Sequence, residues 1–204
     1  MPRPDRDGDA TAIGNLVERA LTLKPAPEPL HHVQLLLNSR NLLAGYDLLV
    51  DQTTAAAWLT GTAGHAIGAD GQFDDADLIQ LRGMREALRE VLIAQTTGRA
   101  PNTESLRLLN ALGAAARLSV RFDGSGRPQL EPAATSSGVQ RVMDIVLTAW
   151  ASAESDRLQR LKACVNPECG WVFYDTSRSR SGTWCLMNVC GSRHKMKRYR
   201  SRQR

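Results

Sequence analysis

The sequence predicts an α+β fold, mainly α: a helical N-terminal domain with a small β-hairpin, followed by a compact cysteine-built module. Three observations predict it. Aromatic residues make up only 5% of the 204 residues while the hydrophobic fraction is 42%, and Leu and Ala supply much of that fraction, which favours packed helices over a sandwich or barrel. Leucines recur at three- and four-residue intervals, and one short stretch alternates as a strand does. All four cysteines fall in the last quarter of the chain, in two close pairs.

Taken in order, residues 1–12 are polar and rich in Pro and Asp, and are read as a flexible leader. The N-terminal domain is expected over 13–156. A short helix over Ile13–Leu23 ends at Lys24-Pro-Ala-Pro-Glu-Pro29, because prolines exclude continued helix. Leu30–Leu37 is a short apolar segment that reads as either helix or strand, and Asn38–Leu43 as a connection. Asp51 is the N-cap candidate of a helix through Ala55, Trp58 and Leu59. Glycines at 61, 64, 68 and 71 match no phosphate-binding spacing and mark a loop. Asp74 or Asp75 opens the strongest helix, with Leu78, Leu81, Met84, Leu88, Val91 and Leu92 on one stripe and Arg82, Arg85, Glu86 and Arg89 largely off it. Thr103 caps a further helix that turns Leu106, Leu109, Leu112 and Ala116 inward. Leu118–Phe122 alternates, Asp123-Gly-Ser-Gly turns, and Pro128–Pro132 returns, which makes the hairpin. Ser137 starts a long helix through Val142, Val146 and Trp150, and a link near Ser152–Ser155 leads into the C-terminal module, 157–204.

That module is built on Cys164, Cys169, Cys185 and Cys190: C-x4-C, fifteen residues, C-x4-C. Two close pairs with a short insert deliver four thiolates to one tetrahedral zinc ion. Asn166-Pro167 favours the tight turn that brings the first two sulfurs together. Trp171–Tyr174 reads as a strand and Thr183–Cys185 as its return. Cys190 opens a final helix, so the order of knuckle, hairpin and helix makes a treble-clef-like zinc finger. A redox pair usually uses C-x-x-C, and inert buried cysteines have no reason to pair. An all-cysteine shell leaves no open position, so the single zinc is expected to be structural. His194 is expected to face solvent or a phosphate.

Charge divides the chain in the same place. Residues 157–204 hold twelve Lys/Arg against Glu168 and Asp175, whereas the rest of the chain is net acidic, although the total is +5. On charge alone, such a tail serves either a polyanionic partner or solubility. Along the final helix, from about Val189, Arg193, Lys197, Arg200 and Arg204 form one stripe. Lys195, Arg198 and Arg202 form a further cationic arc, and Val189, Met196 and Tyr199 with Ser192 a face able to pack on the hairpin. Arg178 and Arg180 add charge from the preceding loop. Beside a zinc site, this pattern points to nucleic acid, with Arg193 and Lys197 able to reach base edges in a major groove.

The residues Cys190-Gly-Ser-Arg193, Phe173-Tyr-Asp-Thr-Ser-Arg178 and Trp184-Cys185 resemble the CGNR zinc-finger family over roughly residues 158–202. Ser192 stands where that family has Asn. Upstream, Val33–Arg40, Asp47–Asp51, Trp58-Leu59 and Leu81–Leu88 resemble the ABATE domain that usually precedes this finger. The resemblance implies a stress-responsive bacterial transcription regulator with zinc-dependent DNA binding at its C-terminal end. It implies Cys164, Cys169, Cys185 and Cys190 as ligands and Arg193 as a DNA contact, and before them a domain for an unknown small-molecule or protein signal.

The expected function is therefore DNA-binding regulation; an RNA-binding or ribosome-associated zinc protein is the alternative. Asn38 and Arg40 are the candidates for a ligand contact or a core polar network. No nucleophile motif occurs, and the four histidines lack ligand spacing, so an enzyme is not expected. With no secretory signal and no apolar run of about 18 residues, the expected place is the cytoplasm, on the nucleoid when bound, with no membrane partner. Reduced thiols there favour metal over disulfides.

Overall fold

The computed structural model describes residues 23–60, 73–135 and 138–203. The leader, the Ile13 helix up to residue 22, the glycine-rich stretch, Ser137 and Arg204 lie outside them. The apolar run after the prolines is a helix, α1 (Leu30–Asn38). Two-residue strands β1 (Arg40–Asn41) and β2 (Tyr46–Asp47) pair antiparallel and turn the chain into α2 (Gln52–Thr60). The Asp51 carboxylate accepts the Thr54 amide at 2.7 Å, as an N-cap should.

Helix α3 (Asp75–Thr97) is the backbone of the domain. Asp74 and Asp77 close a capping box at its start: each carboxylate accepts the other's amide, at 2.8 and 3.0 Å. It stops at Gly98, whose φ of 70° is open to glycine, and the Arg99 amide then reaches back to the Ala94 carbonyl. Helix α4 (Thr103–Ala115) is capped by Asn102 rather than Thr103, through the Ser105 amide at 2.7 Å. Its leucines reach the core only in part: Leu109 and Leu112 are half-buried, whereas Leu106 is exposed, because the helix covers α3 from outside. Strands β3 (Leu118–Phe122) and β4 (Pro128–Pro132) form the expected hairpin in the register Leu118 to Pro132. Helices α5 (Gly138–Ser152) and α6 (Ser155–Leu158) complete the domain.

Helices α1, α3 and α5 pack on one another, and their Leu, Val and Met side chains form a single core. That core does not end at the C-terminal module. Leu161, Ala163 and Val172 belong to it, from strands β5 (Leu161–Ala163) and β6 (Val172–Tyr174). These strands pair antiparallel, Leu161 opposite Tyr174, so the hairpin encloses the first cysteine pair. The expected return strand Thr183–Cys185 does not form: the segment is irregular with a bend at Cys185, and β6 pairs with β5 instead.

The arginines on α3 depart from expectation. Arg85 and Arg89 lie inside the protein, at 1% and 7% exposure, because acceptors wait for both. Arg85 donates to both oxygens of Asp47 at 2.6 and 2.8 Å, to Ser39 Oγ at 3.0 Å and to Glu86 at 2.9 Å. One turn on, Arg89 donates to the carbonyls of Leu37 and Gly170 and to Glu86. A buried guanidinium is tolerated when its donors are matched in this way. Burial works against the charge of Asp47, but the hydrogen bonds and field of Arg85 outweigh it and hold that carboxyl below its ordinary range.

Candidate metal centre

The first pair of sulfurs is set by a knuckle between β5 and β6. The Asn166 carbonyl accepts the amides of Cys169 at 2.9 Å and Gly170 at 3.2 Å, and its side-chain oxygen accepts Glu168 N at 3.2 Å. The Cys164 amide donates to the Trp171 carbonyl at 2.8 Å, which closes the loop as a strand pair. Gly170 has φ 61°, and a Cβ there would stand 3.3 Å from Arg89 Nη1, so glycine serves both the turn and the close approach of Arg89. The second pair comes from Cys185, at a bend, and from a π turn, Met187–Gly191, which holds Cys190 and runs directly into α7 (Ser192–Arg202). The Val165 amide donates to the Thr183 carbonyl at 3.1 Å and ties the two halves together.

All four cysteines are buried, and their Sγ atoms lie within 4.8 Å of one another. Cys169 and Cys185 sulfurs are 3.7 Å apart, and Cys185 and Cys190 3.6 Å. A disulfide would need about 2.05 Å. A tetrahedron with metal–sulfur bonds of about 2.3 Å has edges of about 3.8 Å, so these separations fit one zinc ion. Protons distribute awkwardly over such a cluster. Hydrogen bonds from Cys169 and Cys185 push the Cys164 thiol down, to about 2, while their bonds to Cys164 push Cys169 up and Cys185 up to about 12. A divalent cation resolves this by letting all four sulfurs carry charge together. The four cysteines fit a single structural zinc, with no position left open for substrate.

Around the sulfurs lie side-chain contacts that the sequence reading did not assign. Asn166 Nδ2 stands 3.7 Å from Cys190 Sγ and can donate to that thiolate. Asp175 fastens the loop between the two pairs: it accepts Lys162 Nζ at 2.9 Å, Ser177 N at 3.0 Å and Gly182 N at 2.8 Å. Burial opposes its charge, but the bonds from Ser177 and Lys162 prevail and keep its pKa well below the ordinary carboxylate range. The alternation of β5 around Lys162 was the available signal, but nothing local names its partner thirteen residues away.

The candidate nucleic-acid contacts separate into groups. Arg193, Lys197 and Arg200 line a cleft of about 960 Å³ between α7 and the knuckle, together with Val165, Pro167, Glu168, Trp184 and His194. Lys195 and Arg202 are exposed outside it. The side chain of Arg198 and the whole of Arg204 lie outside the described residues. Arg178 is exposed, whereas Arg180 pairs with Asp156 and gives its carbonyl to Lys162. The expected packing of Met196 and Tyr199 on the hairpin does not occur: they are 52% and 58% exposed, because α7 projects from the π turn. His194 is exposed, its ring centroid 4.8 Å from that of Trp184. Arg40 is half-exposed and pairs with Glu86 at 3.3 Å.

Asn38 is fully buried and holds the finger to the domain. Its Nδ2 donates to the Val172 carbonyl at 2.9 Å, and its Oδ1 accepts the Val172 amide at 2.8 Å. Gln34 adds a bond to the same carbonyl at 3.2 Å. Beside this junction, an apolar pocket of about 240 Å³ is walled by Leu43 and Ala44 on one side and by Trp171, Phe173, Cys185 and Leu186 on the other.

Two family models match the chain. One described as "CGNR zinc finger" covers residues 160–203. The other, ABATE, described as "Putative stress-induced transcription regulator", covers residues 30–159. No curated protein matches it.

Proposed function

The chain belongs to the ABATE family and carries a CGNR zinc finger as its C-terminal part, and on that premise we propose that it is a DNA-binding transcription regulator. The finger carries the DNA-contacting surface, and the N-terminal domain receives the signal. The observation that carries this reading is the junction of metal and charge. Cys190 sits in the turn that launches α7, so a zinc ion held by the four sulfurs fixes the direction of a helix with seven Lys/Arg or His among its eleven residues. A rigid cationic helix neutralises phosphates at lower entropic cost than a flexible tail does. Arg89 on Gly170 and Asn38 on Val172 join α3 and α1 to the knuckle, which gives a change in the domain a direct path to the finger.

Among the described residues no helix is long and apolar enough to cross a membrane, and the protein is read as acting in the cytoplasm, on the nucleoid. It is read as a regulator without catalysis, since the sulfur shell is closed. The test is genome-wide occupancy of tagged wild-type protein and Cys185→Ala. The wild type should enrich discrete loci, and the variant should lose them together with its zinc. Loci retained by the metal-free variant would count against zinc-dependent DNA binding.

A further inference from the structure

The cleft beside the metal centre has two unlike walls. On the α7 side stand Arg193, Lys197 and Arg200; on the knuckle side stand Val165, Pro167 and Glu168. Between them lies Trp184, half-buried, with the His194 ring tilted at 38° against it. Resting on the DNA-binding reading above, we propose that this cleft receives an unpaired DNA strand, with phosphates on the helix wall and a base stacked on Trp184.

Shape decides against a duplex at this place. A recognition helix puts one face into a major groove about 12 Å wide, and that face must be clear of the rest of the protein. Here the side of α7 that carries Arg193, Lys197 and Arg200 lines the same cleft as Val165, Pro167 and Glu168 of the knuckle. A duplex meeting α7 on the opposite face, clear of the cleft, would touch Lys195 and Arg202 and leave those three turned away. What reaches them must be thin enough to enter the cleft. It must also be anionic along one edge and flat and apolar along the other, which describes a single strand. Glu168 sets the polarity: it repels phosphate and can accept from a base amino group. Stacking suits any base, because every base has a π face.

The test uses the zinc-loaded full chain and fluorescence anisotropy at one salt concentration. It compares a labelled single-stranded oligonucleotide, the duplex of the same sequence, and an RNA strand of that sequence. The single DNA strand should bind at least about tenfold tighter than the duplex, and quench tryptophan emission. Trp184→Leu should weaken single-strand binding about 5- to 100-fold and abolish most of the quench, with Trp184→Phe recovering most of the affinity. Lys197→Glu should weaken it more than Lys195→Glu does. Zinc content checks that each variant is folded; should Trp184→Leu fail that check, His194→Ala and the quench on the native protein give the readout. Duplex binding equal to or tighter than the single strand, or a folded Trp184→Leu that binds as the wild type does with no quench on the native protein, overturns the cleft assignment and leaves the DNA-binding reading standing. Tighter binding of the RNA strand overturns the choice of DNA. No binding of any form overturns both.

Discussion

Asn38→Ala tests how the two parts of the chain are joined. Ala163 and Val172 face each other between strands whose neighbouring bond is Cys164 N to Trp171 O, so the polar groups of Val172 point away from β5. Asn38 meets both of them, at 2.8 and 2.9 Å, with no solvent access to its own side chain. Truncation leaves the Val172 amide buried and unpaired, while the carbonyl keeps its bond from Gln34. An orphaned buried donor costs about 1–3 kcal/mol, and the small void adds to it, so the expected loss is about 2–4 kcal/mol. With a urea slope of about 2 kcal/mol per molar, the midpoint of the zinc-loaded protein should fall by about 1–2 M. Zinc transfer to a chromogenic chelator should quicken in the same variant, since the knuckle loses its support. A midpoint shifted by less than about 0.3 M, with unaltered zinc transfer, would falsify the idea that this amide fastens the finger.

Four further outcomes follow from the same geometry. Cys185→Ser should lower bound zinc and disorder the β5–β6 hairpin, seen as lost near-ultraviolet dichroism from Trp171 and Trp184. Asp175→Asn should destabilise at neutral pH. The Asp175 carboxyl has a lowered folded-state pKa, so its contribution is present above the unfolded value of about 3.9 and is lost as pH falls through the folded one; the gap between wild type and variant in urea melts should therefore narrow in acid. Gly182→Ala would place a Cβ 2.9 Å from Asp175 Oδ2, at a carboxylate held by three bonds, and should lower thermal stability and zinc retention together. Lys197→Glu with Arg200→Glu should weaken nucleic-acid binding and flatten its dependence on salt; an unchanged slope would mean these residues do not meet phosphates.

What could be read in the sequence was whatever is written locally. The capping of α2 and α3, the Asp123 hairpin and the stripe of α3 depend on residues a few positions apart, and they appear close to where the pattern puts them. The four sulfurs converge because ligand spacing is itself a local signal. Other features depend on partners far along the chain. Arg85 and Arg89 look like solvent charges on a helical wheel, and only the arrival of Asp47, Leu37 and Gly170 makes their burial tolerable. The sequence hides the partner of β6, because Leu161–Ala163 is too short to announce a strand. The apolar side chains of α7 read as a packing face, but wheel geometry does not say whether a surface lies within reach, and Met196 and Tyr199 stay exposed.

The pairing of Asn38 with Val172 crosses the point where the two family models meet, and so do the hydrophobic contacts of Leu161 and Ala163. Neither half is interchangeable with that of an unrelated chain. A finger grafted elsewhere would arrive with a bare backbone edge, and a domain stripped of it would show the Asn38 amide with nothing to hold and the Arg89 guanidinium with one acceptor fewer. Selection is thus expected to change residues 34, 38 and 89 in concert with the knuckle.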